Sequence, residues 1–282
     1  MKSLNQLDFE NQIEKLGLQN KSVCIHSSMK SFGVKIECGI DGIINAFLNK
    51  SCTILTPTFS YDFEAKPIEK YIPNQNGIGD GSYFFKRELP TPKYFTPKTK
   101  DLSTEDMGLF PKTVLENSKS IRGFHSLNSF TALGKNAKKL IEKQTNHNVY
   151  APFEQLLEDD GYVLLMGVDL TSATIIHYAE MLAGRKLFVR WAYDKDLNTI
   201  PVLVGSCSEG FNKLQNVLDN YKKEIFIGKS RWICYKAREI VEICKQEIKK
   251  NPQITHCDDE NCDRCNDMML GGPIMNADFF EK

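Results

Sequence analysis

The sequence predicts an α/β fold: a mixed sheet flanked by helices, with a long irregular insertion and a late antiparallel hairpin. Three observations carry this reading. Short apolar runs of strand length alternate with amphipathic runs of helical length. From about residue 62 to 106 that pattern vanishes, in a stretch holding Pro67, Pro73, Pro90, Pro92 and Pro97 with Gly77, Gly79 and Gly81. After residue 185, apolar and polar residues alternate singly around a cluster of turn formers.

The elements follow in order. Phe9–Leu16 reads as a polar-faced helix, and Ser22–Ser28 (SVCIHSS) after it as a buried strand. Gly39–Leu48 (GIDGIINAFL) is helical and Cys52–Phe59 (CTILTPTF) a second apolar strand. The 62–106 excursion is too long for a passive connector and is expected to be functional. Gly134–Lys143 and Pro152–Glu158 are short helices. Gly161–Val168 (GYVLLMGV) is the clearest buried strand, with a helix over Ser172–Leu182 directly after it. Arg185–Val204 forms the hairpin, turning at Asp194–Asn198. Ser208–Leu218 is helical, Ile225–Tyr235 a strand, and Ala237–Lys250 a helix closed by Asn251-Pro252. The expected organisation is one α/β domain over 1–250 with a Cys-rich tail, 251–282, packed on it.

Composition narrows the function. Lys+Arg and Asp+Glu are 36 each, so the basic surplus of a general nucleic-acid binder is missing. No apolar run reaches the roughly 18–20 residues that span a bilayer. The first ten residues, MKSLNQLDFE, lack a signal-peptide core. The expectation is a cytoplasmic protein acting on a small molecule, with neither nucleic acid nor membrane as partner; self-association into a homo-oligomer stays open. The nine cysteines would then be reduced. Cys24, Cys38, Cys52, Cys234 and Cys244 sit singly in apolar segments and read as core fillers.

Chemistry concentrates at strand ends. In Gly167–Glu180, Thr174, His177 and Glu180 are spaced three apart, which puts His177 and Glu180 on one helical face. An imidazole there suits a general base, and a carboxylate beside it would orient the ring and favour the imidazolium. The same spacing also describes a surface ion pair. His26–Gly33 (HSSMKSFG) offers small residues at a strand-to-helix turn, either an ordinary capped turn or a cradle for phosphate. It contains neither a P-loop nor a dinucleotide fingerprint. Arg122–Phe130 (RGFHSLNSF) is a loop with Arg122, His125, Ser126 and Ser129. Cys257, Cys262 and Cys265 cluster in THCDDENCDRC. Their spacing suits one structural zinc, with Cys207 or His256 as fourth ligand. A reduced solvated tail is the other reading.

Taken together these motifs resemble the aminoglycoside 3-N-acetyltransferase family. His26–Gly33 is similar to its H-S-S-x-x-S-x-G opening and Ile54–Tyr61 (ILTPTFSY) to its P-T-F-S strand end. Met107-Gly108, then Arg122, His125, Ser129 and Gly134, echo an R-x-x-H-x-x-x-S block. Ala151-Pro152, GYVLLMGV and Thr174-x-x-His177-x-x-Glu180 complete a resemblance running from about residue 20 to 192. Ser126, Gly123 and Ala173 depart from the family's usual proline, serine and asparagine. The resemblance implies an N-acetyltransferase using acetyl-coenzyme A (acetyl-CoA) to acylate an amine of an amino sugar or aminoglycoside-like acceptor by direct transfer. His177 would be the base, Glu180 its orienter, and Thr174 would position acceptor or ring. Ser27, Ser28, Ser31, Phe32 and Gly33 would hold the cofactor's phosphates or arm, and His125 and Ser129 would line its channel. The alternatives are a nucleotide-linked amino-sugar N-acyltransferase of glycan biosynthesis and a non-catalytic sugar-binding relative.

Overall fold

The computed structural model describes residues 3–79, 88–89 and 91–275. Parts of the excursion (80–87 and 90) and of the tail (276–282) lie outside the described residues. Three strands make the parallel centre of the main sheet: β1 (Ser22–Ser27), β2 (Thr53–Pro57) and β5 (Tyr162–Met166). β3 (Ile121–Arg122) pairs with β4 (Phe130–Leu133), which runs antiparallel to β2. On the other side β9 (Ser230–Lys236) runs antiparallel to β5, and β8 (Lys223–Ile227) closes the edge. The strand order is β3-β4-β2-β1-β5-β9-β8.

The central strands are mostly apolar and almost wholly buried because both sheet faces are covered. Along β1, Val23 and Ile25 enter one core with Phe9, Phe47 and Trp232, while Cys24 enters the other with Phe153 and Leu165. Helices Gln6–Leu16, Gly39–Asn49 and Leu109–Glu116 cover the first face. Helices Ala137–Ile141, Ala151–Glu158, Ile175–Leu182 and Ala237–Lys250 cover the second.

A separate two-stranded sheet stands over the ends of the main one: β6 (Phe188–Tyr193) with β7 (Thr199–Val204). It gathers the excursion. The Ala65 N–H donates to Trp191 O at 2.8 Å. The Asn76 amide brackets Val189, donating to its carbonyl at 3.0 Å and accepting its N–H at 2.8 Å. The tail joins in through Ile274 N–H on Asn74 O at 3.0 Å.

Several elements differ from the sequence reading. Ile225–Tyr235 is two antiparallel strands, because Gly228 takes φ +59 and turns the chain in two residues. β3 and β4 carry too few residues for periodicity to mark them. Ser208–Leu218 is a 3-10 turn over Phe211–Leu214 followed by a single α turn.

Candidate active site

The carboxyl ends of parallel strands open into a crevice in such sheets. Here a cleft of about 1450 Å³ lies beyond β1 and β5. Its floor includes His26, Ser27, Ser28 and Val168, and one flank carries Tyr150, Thr174 and His177. The opposite wall comes from the excursion and hairpin (Tyr61, Glu64, Gly77, Arg190), and the tail contributes Cys262, Asp263 and Arg264.

His177 and Glu180 are 8% and 2% exposed, so they are not a solvated surface pair. His177 Nδ1 is 2.8 Å from Glu180 Oε2. A carboxylate only accepts, so in the neutral form of the ring the proton sits on Nδ1 and Nε2 carries the lone pair. Glu180 has three further donors: Arg185 Nη1, the Ser206 hydroxyl at 3.1 Å and the Thr255 hydroxyl at 3.1 Å. Burial pushes its pKa up. The bond and charge of His177, the Arg185 charge and the Ser206 hydroxyl outweigh that and hold it below its ordinary value. The imidazole packs edge-on against Phe211, with centroids 4.8 Å apart, and stacks on Tyr150. Gly205 passes close by: a Cβ there would lie 2.4 Å from the Tyr150 hydroxyl and 2.9 Å from the His177 ring.

The turn after β1 divides in two. Ser27, Ser28, Met29 and Lys30 line the cleft, and Ser27 Oγ is buried without a hydrogen-bond partner. Ser31, Phe32 and Gly33 are not among the cleft-lining residues. The Ser31 hydroxyl donates to Ser28 O at 2.6 Å and bonds Ser230 Oγ at 2.7 Å. Phe32 is fully buried against Phe9 and Trp232. Gly33 holds φ +59 against the Lys229 side chain.

The Arg122–Phe130 block is mostly scaffold. Arg122 donates to Ser129 Oγ at 2.9 Å and to the carbonyls of Thr58, Thr99 and Asp101. His125 is fully buried, with Nε2 donating to Leu203 O at 2.8 Å and Nδ1 accepting from Asn128 N–H at 2.8 Å. These bonds aim the next residues instead. Leu127 and Asn128 reach the cleft, where Asn128 Oδ1 is buried and unpartnered. Ser126 uses an N–H that proline lacks, donating to Asn146 Oδ1 at 2.8 Å.

Cys207, Cys257, Cys262 and Cys265 come together, their sulfurs all within 4.8 Å of one another. His256 is occupied elsewhere, with one ring nitrogen on Cys257 O and the other 3.0 Å from Asn266 Oδ1. Arg185, Ser206 and Tyr150 lie in none of the quoted motifs, and Thr255, Lys30 and Asn128 lie inside quoted motifs whose spacing does not single them out.

Comparison with known proteins bears on this geometry. A family model described as aminoglycoside 3-N-acetyltransferase matches residues 24–249, further along the chain than the quoted motifs. Aminoglycoside N(3)-acetyltransferase III from Salmonella sp is 27% identical over 264 residues, covering 85% of this chain and 89% of that protein. The apoenzyme structure of aminoglycoside acetyltransferase AAC(3)-IVa has a TM-score of 0.75 at 20% identity, covering 96% of this chain and 98% of that one. The AAC-IIIb binary structure with CoASH has a TM-score of 0.68 at 18% identity, covering 88% and 97%. At those identities the two structures speak for the fold, which is the same α/β fold.

Proposed function

This chain belongs to the aminoglycoside 3-N-acetyltransferase family, and on that footing we propose that it moves the acetyl group of acetyl-CoA directly onto an amine of an amino-sugar or aminoglycoside-like acceptor, with His177 as general base. The observation that carries the reading is the buried His177–Glu180 pair, 2.8 Å apart, opening on a cleft at the strand ends.

Acetyl-CoA supplies an activated thioester whose thiol leaves. Two buried polar atoms in the cleft without protein partners, Ser27 Oγ and Asn128 Oδ1, fit a ligand carrying amide and hydroxyl groups. Ser27, Ser28 and Lys30 would hold it from the β1 turn, and Asn128 from the facing loop. His177 Nε2 accepts the proton released as the acceptor nitrogen bonds to the acyl carbon. Glu180 stabilises the imidazolium through Nδ1–H without taking the proton. His177 then returns the proton to the departing sulfur, so the enzyme ends as it began. Thr174 lines the cleft one turn before His177 and would position the acceptor.

Glu64, Glu209 and Asp263 on the walls suit acceptor ammonium groups, and Arg190 and Arg264 stand among them. That mixture favours an acceptor with an anionic group besides its amine, such as a nucleotide-linked amino sugar, as the second reading. The test is thiol release from acetyl-CoA across a panel of aminoglycosides and amino sugars, free and phosphorylated. Release with aminoglycosides alone removes the second reading. Absence of release with every amine, in protein shown by calorimetry to bind acetyl-CoA, removes the first as well.

A further inference from the structure

We propose that Cys207, Cys257, Cys262 and Cys265 bind one zinc ion, and that this ion clamps the tail to the loop after β7 so that Glu180 is held in register behind His177. The first half stands on the thiol geometry alone. The second rests on the function proposed above.

The four thiols come from two places: Cys207 follows β7, and the others lie in the tail. Solitary cysteines fill cores well, as Cys24 and Cys244 do here. Four sulfurs gathered within 4.8 Å serve no such purpose. A tetrahedral zinc with Zn–S bonds of ~2.3 Å sets its sulfurs about 3.8 Å apart, and Cys257 and Cys265 are already 3.5 Å apart. Cys262-x-x-Cys265 spans the start of the helix Asp263–Met269, with Cys262 just outside it. That start turns the Cys265 N–H onto the Cys262 sulfur. The Cys257 N–H donates to Cys265 Sγ at 3.3 Å, and the Glu209 N–H to the Cys207 sulfur. Backbone donors aimed at sulfur are the outer shell a thiolate–metal site requires. Arg264, beside Cys207, offsets part of the negative charge that four thiolates leave on a zinc site. All nine cysteines are free, so no disulfide competes for these sulfurs.

The clamp follows from where the ligands sit. Ser206, whose hydroxyl holds Glu180 Oε2, is next to Cys207. Thr255, whose hydroxyl holds Glu180 Oε1, is two residues before Cys257. Arg185 bonds Glu180, the Thr255 hydroxyl and the Pro252 carbonyl together. Both hydroxyls that fix the carboxylate therefore lie within two residues of a ligand sulfur. Removing the ion would release both segments at once.

Metal analysis of tag-free full-length protein, purified under reducing conditions, should give about one zinc per chain. Exchange with cobalt should give the absorption of a tetrahedral tetrathiolate. Metal-free protein with all four thiols open to a thiol reagent would overturn the site, and so would iron in place of zinc. Chelation should lower turnover by at least about tenfold, the usual scale of outer-shell effects, shift the acid limb of the pH–rate profile, and be reversed by zinc. If no acceptor is turned over, the His177 titration followed by NMR reads the clamp instead, and should move on chelation and return with zinc. A His177 titration and turnover indifferent to zinc would leave the metal and overturn the clamp. Cys257→Ser should reproduce the chelated state; should that variant fail to fold, chelation of the unaltered chain decides.

Discussion

The base role proposed for His177 requires Nε2 to face the cleft, and that depends on neighbours at very different distances along the chain. Glu180 is three residues away and legible from spacing. Arg185, Ser206 and Thr255 complete its cage, and nothing in their local sequence marks them, since each is brought in by tertiary packing. Replacing His177 by alanine should lower kcat by roughly 10²–10⁴ while calorimetry still shows acetyl-CoA binding. Unchanged turnover would remove the assigned role. Gly205 is a second sensitive point. A methyl there would strike the Tyr150 hydroxyl and the imidazole, so Gly205→Ala should cost about 1–3 kcal/mol of stability and lower kcat together with Tm. A variant with normal kcat would mean the ring has room to move.

At the scale of elements, the turn after β1 shows how far a motif can be trusted. Its serines and glycine were legible as one unit, but the 3-10 turn at Met29–Phe32 splits them: Ser27 and Ser28 line the cleft, Phe32 enters the core, Ser31 bonds Ser230 and Gly33 is exposed. Phe32→Ala should cost about 3–5 kcal/mol in denaturant unfolding and leave the acetyl-CoA affinity of the folded protein unchanged. Weaker cofactor binding at unchanged stability would reverse that assignment. β1, β5 and the hairpin were legible because burial on both faces, or on one, leaves a plain pattern. β3 and β4 were not, being two and four residues long. β8 and β9 merged because a two-residue turn does not interrupt the run of strand formers. The helix Asp263–Met269 was hidden in a polar, Cys-rich stretch without a continuous apolar stripe.

Over the whole molecule, two histidines make stability depend on pH. Burial holds His26 and His125 down to about 4, against an ordinary 6.5. Between those values the unfolded chain binds more protons than the folded one. Stability is therefore full above about pH 6.5, falls as the pH drops, and stops falling on their account near pH 4. The slope is at most about 1.4 kcal/mol per pH unit for each ring. Urea midpoints should fall from pH 7 to pH 5 at constant m, and a flat profile would show that the rings are not buried neutral. The antiparallel pairing of β5 with β9 also bears on how the protein is made. β5 is the most apolar strand of the sheet, yet the partner for its outer edge ends at Lys236. A ribosome adding ~5–20 residues per second exposes Tyr162–Met166 for several seconds before that partner emerges. The nascent chain therefore carries a sticky, half-paired edge, and a chaperone that shields it during synthesis should raise the yield of folded enzyme more than one offered after release.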